Sequence, residues 1–139
     1  MTLAPSQLRA FAERYTAAWC SQDPASIAAY FAPNGSLSVN GVPAVGRDAI
    51  AEVAHGFMTA FPDMLLTALD ITTANGHVFY RWMLDGTNTG PGGTGKRVRI
   101  IGFEKWTFGA DSLIAESQGH FDQAEYQRQL KYGFDEKQR

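Results

Sequence analysis

Apolar residues recur every three or four positions in the first part of the chain and every second position later on. The spacing i, i+3, i+4, i+7, i+11 from Leu8 to Trp19 is typical of an amphipathic helix. Asp23-Pro24 is a helix-start signal, and Pro62 is a helix stop. The predicted helices are residues 6–20, a short segment with Ile27, Tyr30 and Phe31 on its buried face that ends at Pro33-Asn34-Gly35, and Arg47–Ala60.

The second half alternates in the manner of strands. Asn75-Gly76 between two such runs predicts a hairpin. The predicted elements are a short strand Ser36–Asn40, a turn-rich connection Gly41–Gly46, long strands Leu65–Thr73, His77–Thr89, Arg97–Phe108 and Ser112–Asp122, and a final helix Gln123–Lys131. Helices followed by a meander of strands predict an α+β fold, with a curved sheet wrapped on the helices in one domain, residues 1–139.

Composition narrows the function. A formal net charge of −2, with no basic stripe, argues against nucleic acid or an anionic membrane as partner. No apolar run is long enough to span a bilayer, and the first residues lack the features of a signal peptide. Cys20 is the only cysteine and no H-x-x-x-H spacing occurs, so we expect no disulfide and no metal site. These features predict a reduced, cytoplasmic protein.

The most informative polar residues lie at the end of the last predicted strand. Gln118, His120 and Asp122 should share one sheet face, because side chains alternate between faces along a strand. An imidazole and a carboxylate together could transfer protons. Asp122 has a second interpretation as a helix N-cap, since Glu125 stands three residues later. His120 could likewise be a structural, hydrogen-bonded histidine.

A second carboxylate, Glu104, alternates with Gly102 and Trp106 in the preceding strand. Such a face suits a pocket, but Glu104 could equally be the cross-strand partner of Arg81 or Arg99. The chain is rich in aromatic residues, and we expect Tyr15, Trp19 and Trp82 to contact a flat aromatic or polycyclic ligand. The full set of predicted substrate-binding residues is Tyr15, Trp19, Phe57, Trp82, Asn88, Glu104 and Trp106.

Several segments in this order resemble the SnoaL-like polyketide (ester) cyclases of the nuclear-transport-factor-two-like superfamily. The resemblance covers nearly the whole chain and implies a cone-shaped α+β roll of the cystatin-like type, an apolar pocket inside it, and homodimers or larger assemblies through the convex sheet face. The segments that carry it are Arg14–Trp19, Asp23, Tyr30–Gly35, Gly46–Ile50, Phe61-Pro62-Asp63, Arg81-Trp82, Gly86–Gly90, Thr94–Lys96 and His120-Phe121-Asp122.

In these cyclases an Asp of the last strand is thought to be the acid/base of an intramolecular aldol closure, and Asp122 matches that position. The resemblance thus implies ring closure of a polyketide-like ester or ketone without a cofactor, with Asp122 and His120 as catalytic residues. Tyr15, His120 or Asn88 would steady the enolate.

Other activities of the superfamily fit less well. Ketosteroid isomerases would need a carboxylate near Ser38–Asn40, and Met83 stands where epoxide hydrolases would need the Asp of an Arg-x-Asp pair after Arg81. A non-catalytic small-molecule-binding scaffold, or a hydrolase or dehydratase using His120 with Glu104, remain the alternatives.

Overall fold

The computed structural model describes residues 3–134 of the chain. Its helices begin and end at the expected local signals. Asp23 caps the second helix by accepting a hydrogen bond from the Ala25 N–H at 3.2 Å, and the third helix ends just before Phe61-Pro62. The four helices are α1 Pro5–Cys20, α2 Pro24–Ala28, α3 Arg47–Ala60 and α4 Gln123–Tyr132.

Six strands form one mixed sheet in the order β2-β1-β6-β5-β4-β3. Adjacent strands are antiparallel except for β1 and β6, which are parallel. The register shifts between Ala68 and Asp70 on β3 and between Thr107 and Phe108 on β5, and such bulges bend a sheet. The strands are β1 Phe31–Val39, β2 Val42–Val45, β3 Leu65–Ala74, β4 His77–Thr87, β5 Arg97–Phe108 and β6 Ile114–Phe121.

The region after α2 differs from the sequence prediction. Phe31 is the first residue of β1 rather than part of a helix, and the predicted connection Gly41–Gly46 contains β2. Residues between Phe31 and Ser36 leave the ladder with β6, where the register shifts. That irregularity accommodates Pro33 inside the strand, because a proline that cannot donate to the ladder is tolerated at a bulge.

One face of the sheet is buried in the core of the protein. Alternate residues of β4 and β5 are buried, and they join the buried stripe of α1 in one apolar core. α1 packs on β3 and α3 packs on β1, and the buried residues of both helices belong to the same core as those of the sheet. The core residues on the two strands are Val78, Tyr80, Trp82, Leu84, Val98, Ile100 and Trp106.

No helix within residues 3–134 combines the length and the apolar character needed to cross a membrane.

Candidate functional site

A pocket lies between the covered face of the sheet and the helices. Three helices and five strands contribute to its wall, and most of the side chains are aliphatic or aromatic. Among the described residues that line it, Glu104 is the only one with a carboxyl group. The lining residues are Trp19, Leu37, Val39, Phe57, Leu66, Trp82, Leu84, Ile100, Glu104, Gly119, Phe121 and Tyr126.

Glu104 is held by three neutral donors. Its Oε1 atom accepts hydrogen bonds from Ser117 Oγ at 2.7 Å, Tyr15 Oη at 2.9 Å and Trp106 Nε1 at 3.0 Å. Its Oε2 atom has one longer contact, at 3.2 Å from the same Tyr15 hydroxyl. The two oxygens are therefore unequal: Oε1 is fixed by the protein, whereas Oε2 keeps hydrogen-bonding capacity unused.

Burial raises the pKa of Glu104 above its ordinary value, although the hydrogen bonds from Trp106, Ser117 and Tyr15 act in the opposite direction. Burial and the neighbouring Glu104 charge raise the pKa of the Tyr15 phenol well above its usual value, so Tyr15 stays a proton donor to the carboxylate. A raised pKa makes the carboxylate a stronger base, which favours its taking a proton from a ligand.

Strand alternation places this carboxyl group. Gly102, Glu104 and Trp106 are successive inward residues of β5, and Gly119 faces Glu104 on β6. Trp82 pairs with Gly102 across β4 and β5, and its indole ring occupies the space where a Gly102 side chain would lie. Gly102 thus leaves room for the Trp82 ring, and Gly119 leaves space beside Glu104.

The structure brings most of the predicted substrate-binding residues together. Trp19, Phe57, Trp82 and Glu104 line the pocket. Tyr15 and Trp106 are fully buried behind it, where both donate to Glu104.

Sequence reasoning missed three kinds of contributor: the serine Ser117, the aromatic residues Phe121 and Tyr126, and the aliphatic wall. Ser117, Gly119 and Phe121 are alternate residues of β6, so the period of two was the signal that could have found them.

Asp122 and His120, which the resemblance implies as catalytic residues, do not line the pocket, and neither does Gln118. Their shared face is correct, but it is the outer one, because the inward residues of β6 are Ser117, Gly119 and Phe121. His120 is exposed and its ring lies 5.2 Å from that of Phe103, in a shallow outer groove that Asp122 also borders. No hydrogen bond joins His120 to Asp122 within residues 3–134.

Asp122 is the N-cap of α4. Its Oδ1 atom accepts a hydrogen bond from the Glu125 backbone N–H at 3.0 Å, which satisfies one of the free donors of the first helical turn. The side chain of Glu125 turns instead to Arg128, at 2.8 Å. The interpretation of Asp122 as a helix N-cap is therefore confirmed.

Two further predictions are corrected by the contacts. Asn88 lies outside the pocket: its amide donates to the Ala60 carbonyl at 3.1 Å and its Oδ1 accepts from the Thr94 N–H at 2.8 Å, so it fixes the glycine-rich loop. The predicted alternative, in which Arg81 or Arg99 is the cross-strand partner of Glu104, is also wrong. Glu104 faces Tyr80 across the β4–β5 ladder, Arg81 faces Phe103, and Arg99 Nε binds Asp85 at 2.6 Å.

Within residues 3–134, no three histidine, cysteine, aspartate or glutamate side chains lie close enough together to hold a metal ion.

The chain is similar to one known family of domains. The model of the SnoaL-like domain family matches residues 12–117. No curated protein matches the sequence.

Solved structures share the fold at low identity. TsrD from Streptomyces laurentii is 20% identical with a TM-score of 0.80, over 93% of this chain and 98% of that one. AclR, a proposed hydroxylase from Streptomyces galilaeus, is 22% identical with a TM-score of 0.77, over 91% and 86%. A proposed polyketide cyclase from Xanthomonas campestris is 16% identical with a TM-score of 0.77, over 91% and 98%. The TM-scores of 0.77 to 0.80 show a common fold, and at identities this low the similarity shows the fold alone.

Proposed function

Since this chain belongs to the SnoaL-like domain family, we propose that it closes a ring in a small, largely apolar carbonyl compound by acid/base catalysis with Glu104. The observation that carries the proposal is a buried carboxyl group with a raised pKa in the wall of an apolar pocket. Burying such a group is costly, and catalysis is one role that accounts for the cost. The proposal replaces Asp122, which caps α4 on the outer face, with Glu104.

The reaction is an intramolecular aldol addition. Glu104 Oε2 takes a proton from the carbon next to a carbonyl group, so the C–H bond breaks and its electron pair passes to the enolate. The enolate carbon then attacks a second carbonyl group of the same molecule and forms a C–C bond. Glu104 returns the proton to the alkoxide, and the product keeps every atom and electron of the substrate, so the reaction takes no cofactor.

The donors to Glu104 Oε1 suit both protonation states of the side chain, the carboxylate and the carboxylic acid. Tyr15, Trp106 and Ser117 stabilise the carboxylate before proton abstraction, and they hold the side chain in one orientation throughout. Because the three donors are neutral, the carboxyl group can gain a proton without breaking an ion pair. The apolar wall excludes water from the enolate.

Enolisation can be tested without knowing the natural substrate. We would follow the exchange of the C1 protons of 2-tetralone for deuterium in D2O by NMR, because these protons lie between a carbonyl group and an aromatic ring. The wild type is expected to accelerate exchange, and Glu104→Gln to reduce the acceleration by about a hundredfold, the scale of general-base catalysis.

The matched control is Glu116→Gln, which changes an exposed glutamate of β6 and should exchange 2-tetralone like the wild type. Glu104→Gln is also examined by circular dichroism, so that a loss of folding is not read as a loss of catalysis. Equal exchange by folded Glu104→Gln and by the wild type would refute the catalytic role.

A binding protein without catalysis is the second candidate, favoured by the nearly continuous apolar wall around a carboxyl group that already has three donors. It predicts that 2-tetralone binds but that the wild type exchanges its protons no faster than Glu104→Gln does.

A further inference from the structure

The pocket wall contains a buried donor that makes no hydrogen bond. Within residues 3–134, Trp19 Nε1 is the one fully buried side-chain nitrogen or oxygen without a hydrogen-bond partner. An indole N–H can only donate, and leaving it unpaired away from water costs free energy. Structures keep very few such groups, and a ligand atom is one way to satisfy them.

The position of Trp19 connects this donor with the acid/base group. Trp19 lies near the C-terminal end of α1, with its ring 6.2 Å from Phe57 and 6.4 Å from Tyr15 between centroids. Burial and the Glu104 charge raise the pKa of the Tyr15 phenol, and the Trp19 indole acts in the opposite direction, although no hydrogen bond joins the two side chains. Tyr15 itself donates to Glu104.

We propose that Trp19 Nε1–H is a specificity-determining donor that binds the oxygen of a carbonyl ligand in this pocket. The proposal deepens the proposed function and rests on it for one point, namely that this oxygen belongs to the carbonyl group next to the carbon that loses a proton to Glu104. When that C–H bond breaks, the electron pair ends on the oxygen, and the indole N–H stabilises the resulting enolate.

A second donor in the pocket wall, the Tyr126 hydroxyl, does not require a ligand as its hydrogen-bond acceptor. The Tyr126 hydroxyl has no hydrogen-bond partner among the described residues, but Tyr126 is only part-buried on α4. Water can reach a part-buried hydroxyl, whereas the Trp19 N–H has almost no surface open to water, so a ligand oxygen binds it only with a small shift of the neighbouring wall side chains. Of these two donors, the Trp19 N–H is therefore the one that needs an acceptor from a ligand.

The test compares two probes of the same shape, 2-tetralone and the hydrocarbon tetralin, by isothermal titration calorimetry. Trp19→Phe keeps an aromatic ring and removes the N–H. We expect it to weaken 2-tetralone binding by about three- to tenfold and to change tetralin binding by less than twofold, as loss of one hydrogen bond predicts. The matched control Phe57→Leu, which trims an apolar wall residue, should weaken both probes by the same factor.

A second measurement does not depend on the folding of a variant. In 15N-labelled wild type, the Trp19 indole proton should shift downfield when 2-tetralone is added and not when tetralin is added. No difference between the two probes in the shift, or an equal effect of Trp19→Phe on both, would overturn the proposal, as would a wild type that binds neither. Failure of the proposed function has a different signature, because it abolishes the Glu104-dependent exchange and leaves ketone-selective binding intact.

Discussion

Glu104 and Gly119 face each other across the β5–β6 ladder, and a methyl group on Gly119 would lie 3.7 Å from Glu104 Cγ. That methyl would also lie 3.2 Å from the Ser38 carbonyl oxygen, a tight distance that a small shift relieves. The absence of a side chain at position 119 therefore leaves space beside the carboxyl group, where a ligand would have to lie.

Gly119→Ala is expected to weaken 2-tetralone binding severalfold while changing stability little. The added methyl occupies pocket space, whereas the crowding at Ser38 is offset in part by the lower entropy of the unfolded alanine chain. Calorimetry with 2-tetralone and urea denaturation measure the two effects. Unchanged affinity would mean that ligands do not use the space beside Glu104.

Tyr15→Phe is expected to raise the pKa of Glu104 further and to lower the free energy of unfolding by about 1–3 kcal/mol at neutral pH. The variant removes a buried donor to a carboxylate, and such bonds are worth more than neutral ones. The pKa is measured from the 13C carboxyl shift, and stability from urea denaturation. Tyr126→Phe is the control, because its hydroxyl has no partner among the described residues, and it should change stability by less than about 0.5 kcal/mol.

Glu104 should make the protein less stable as pH rises. Its pKa in the folded state is raised above the ordinary 4.5, so the folded state binds more protons than the unfolded chain between the two pKa values. Stability from this group is thus fully present below about pH 4.5 and is lost as pH rises through the folded pKa. Glu104→Gln should lack this loss. A stability difference between the wild type and Glu104→Gln that stays constant from about pH 4 to 8 would contradict it.

Local patterns predicted the helices and strands well where the pattern was regular. The buried stripe of α1 and the hairpin at Asn75-Gly76 were read directly from spacing and turn chemistry. The local pattern predicts the wrong element for Phe31, because Pro33 on its own is a strong helix and strand breaker. Its tolerance depends on the register shift between β1 and β6, strands about 80 residues apart in sequence, and no local pattern reports that.

The candidate site was only half predictable for the same reason. Alternation correctly groups Gln118 with His120, but it does not say which face of the strand is covered by helices. A row of polar residues favours the solvent side when the alternate row is small or apolar, and Ser117, Gly119 and Phe121 form such a row. The contact of Tyr15 with Glu104 joins residues 89 positions apart, so it follows from the tertiary fold.

Two substitutions of Asp122 distinguish a capping role from a catalytic role. Asp122→Asn keeps a side-chain oxygen for the Glu125 N–H and should retain stability within a few tenths of a kcal/mol, whereas Asp122→Ala should cost about 1 kcal/mol by urea denaturation. Both variants should exchange the C1 protons of 2-tetralone at the wild-type rate, because Asp122 lies on the outer face of the sheet, outside the pocket wall. Slower exchange in the stable Asp122→Asn variant would return the catalytic role to Asp122, and would require α4 to move so that this carboxylate reaches the pocket.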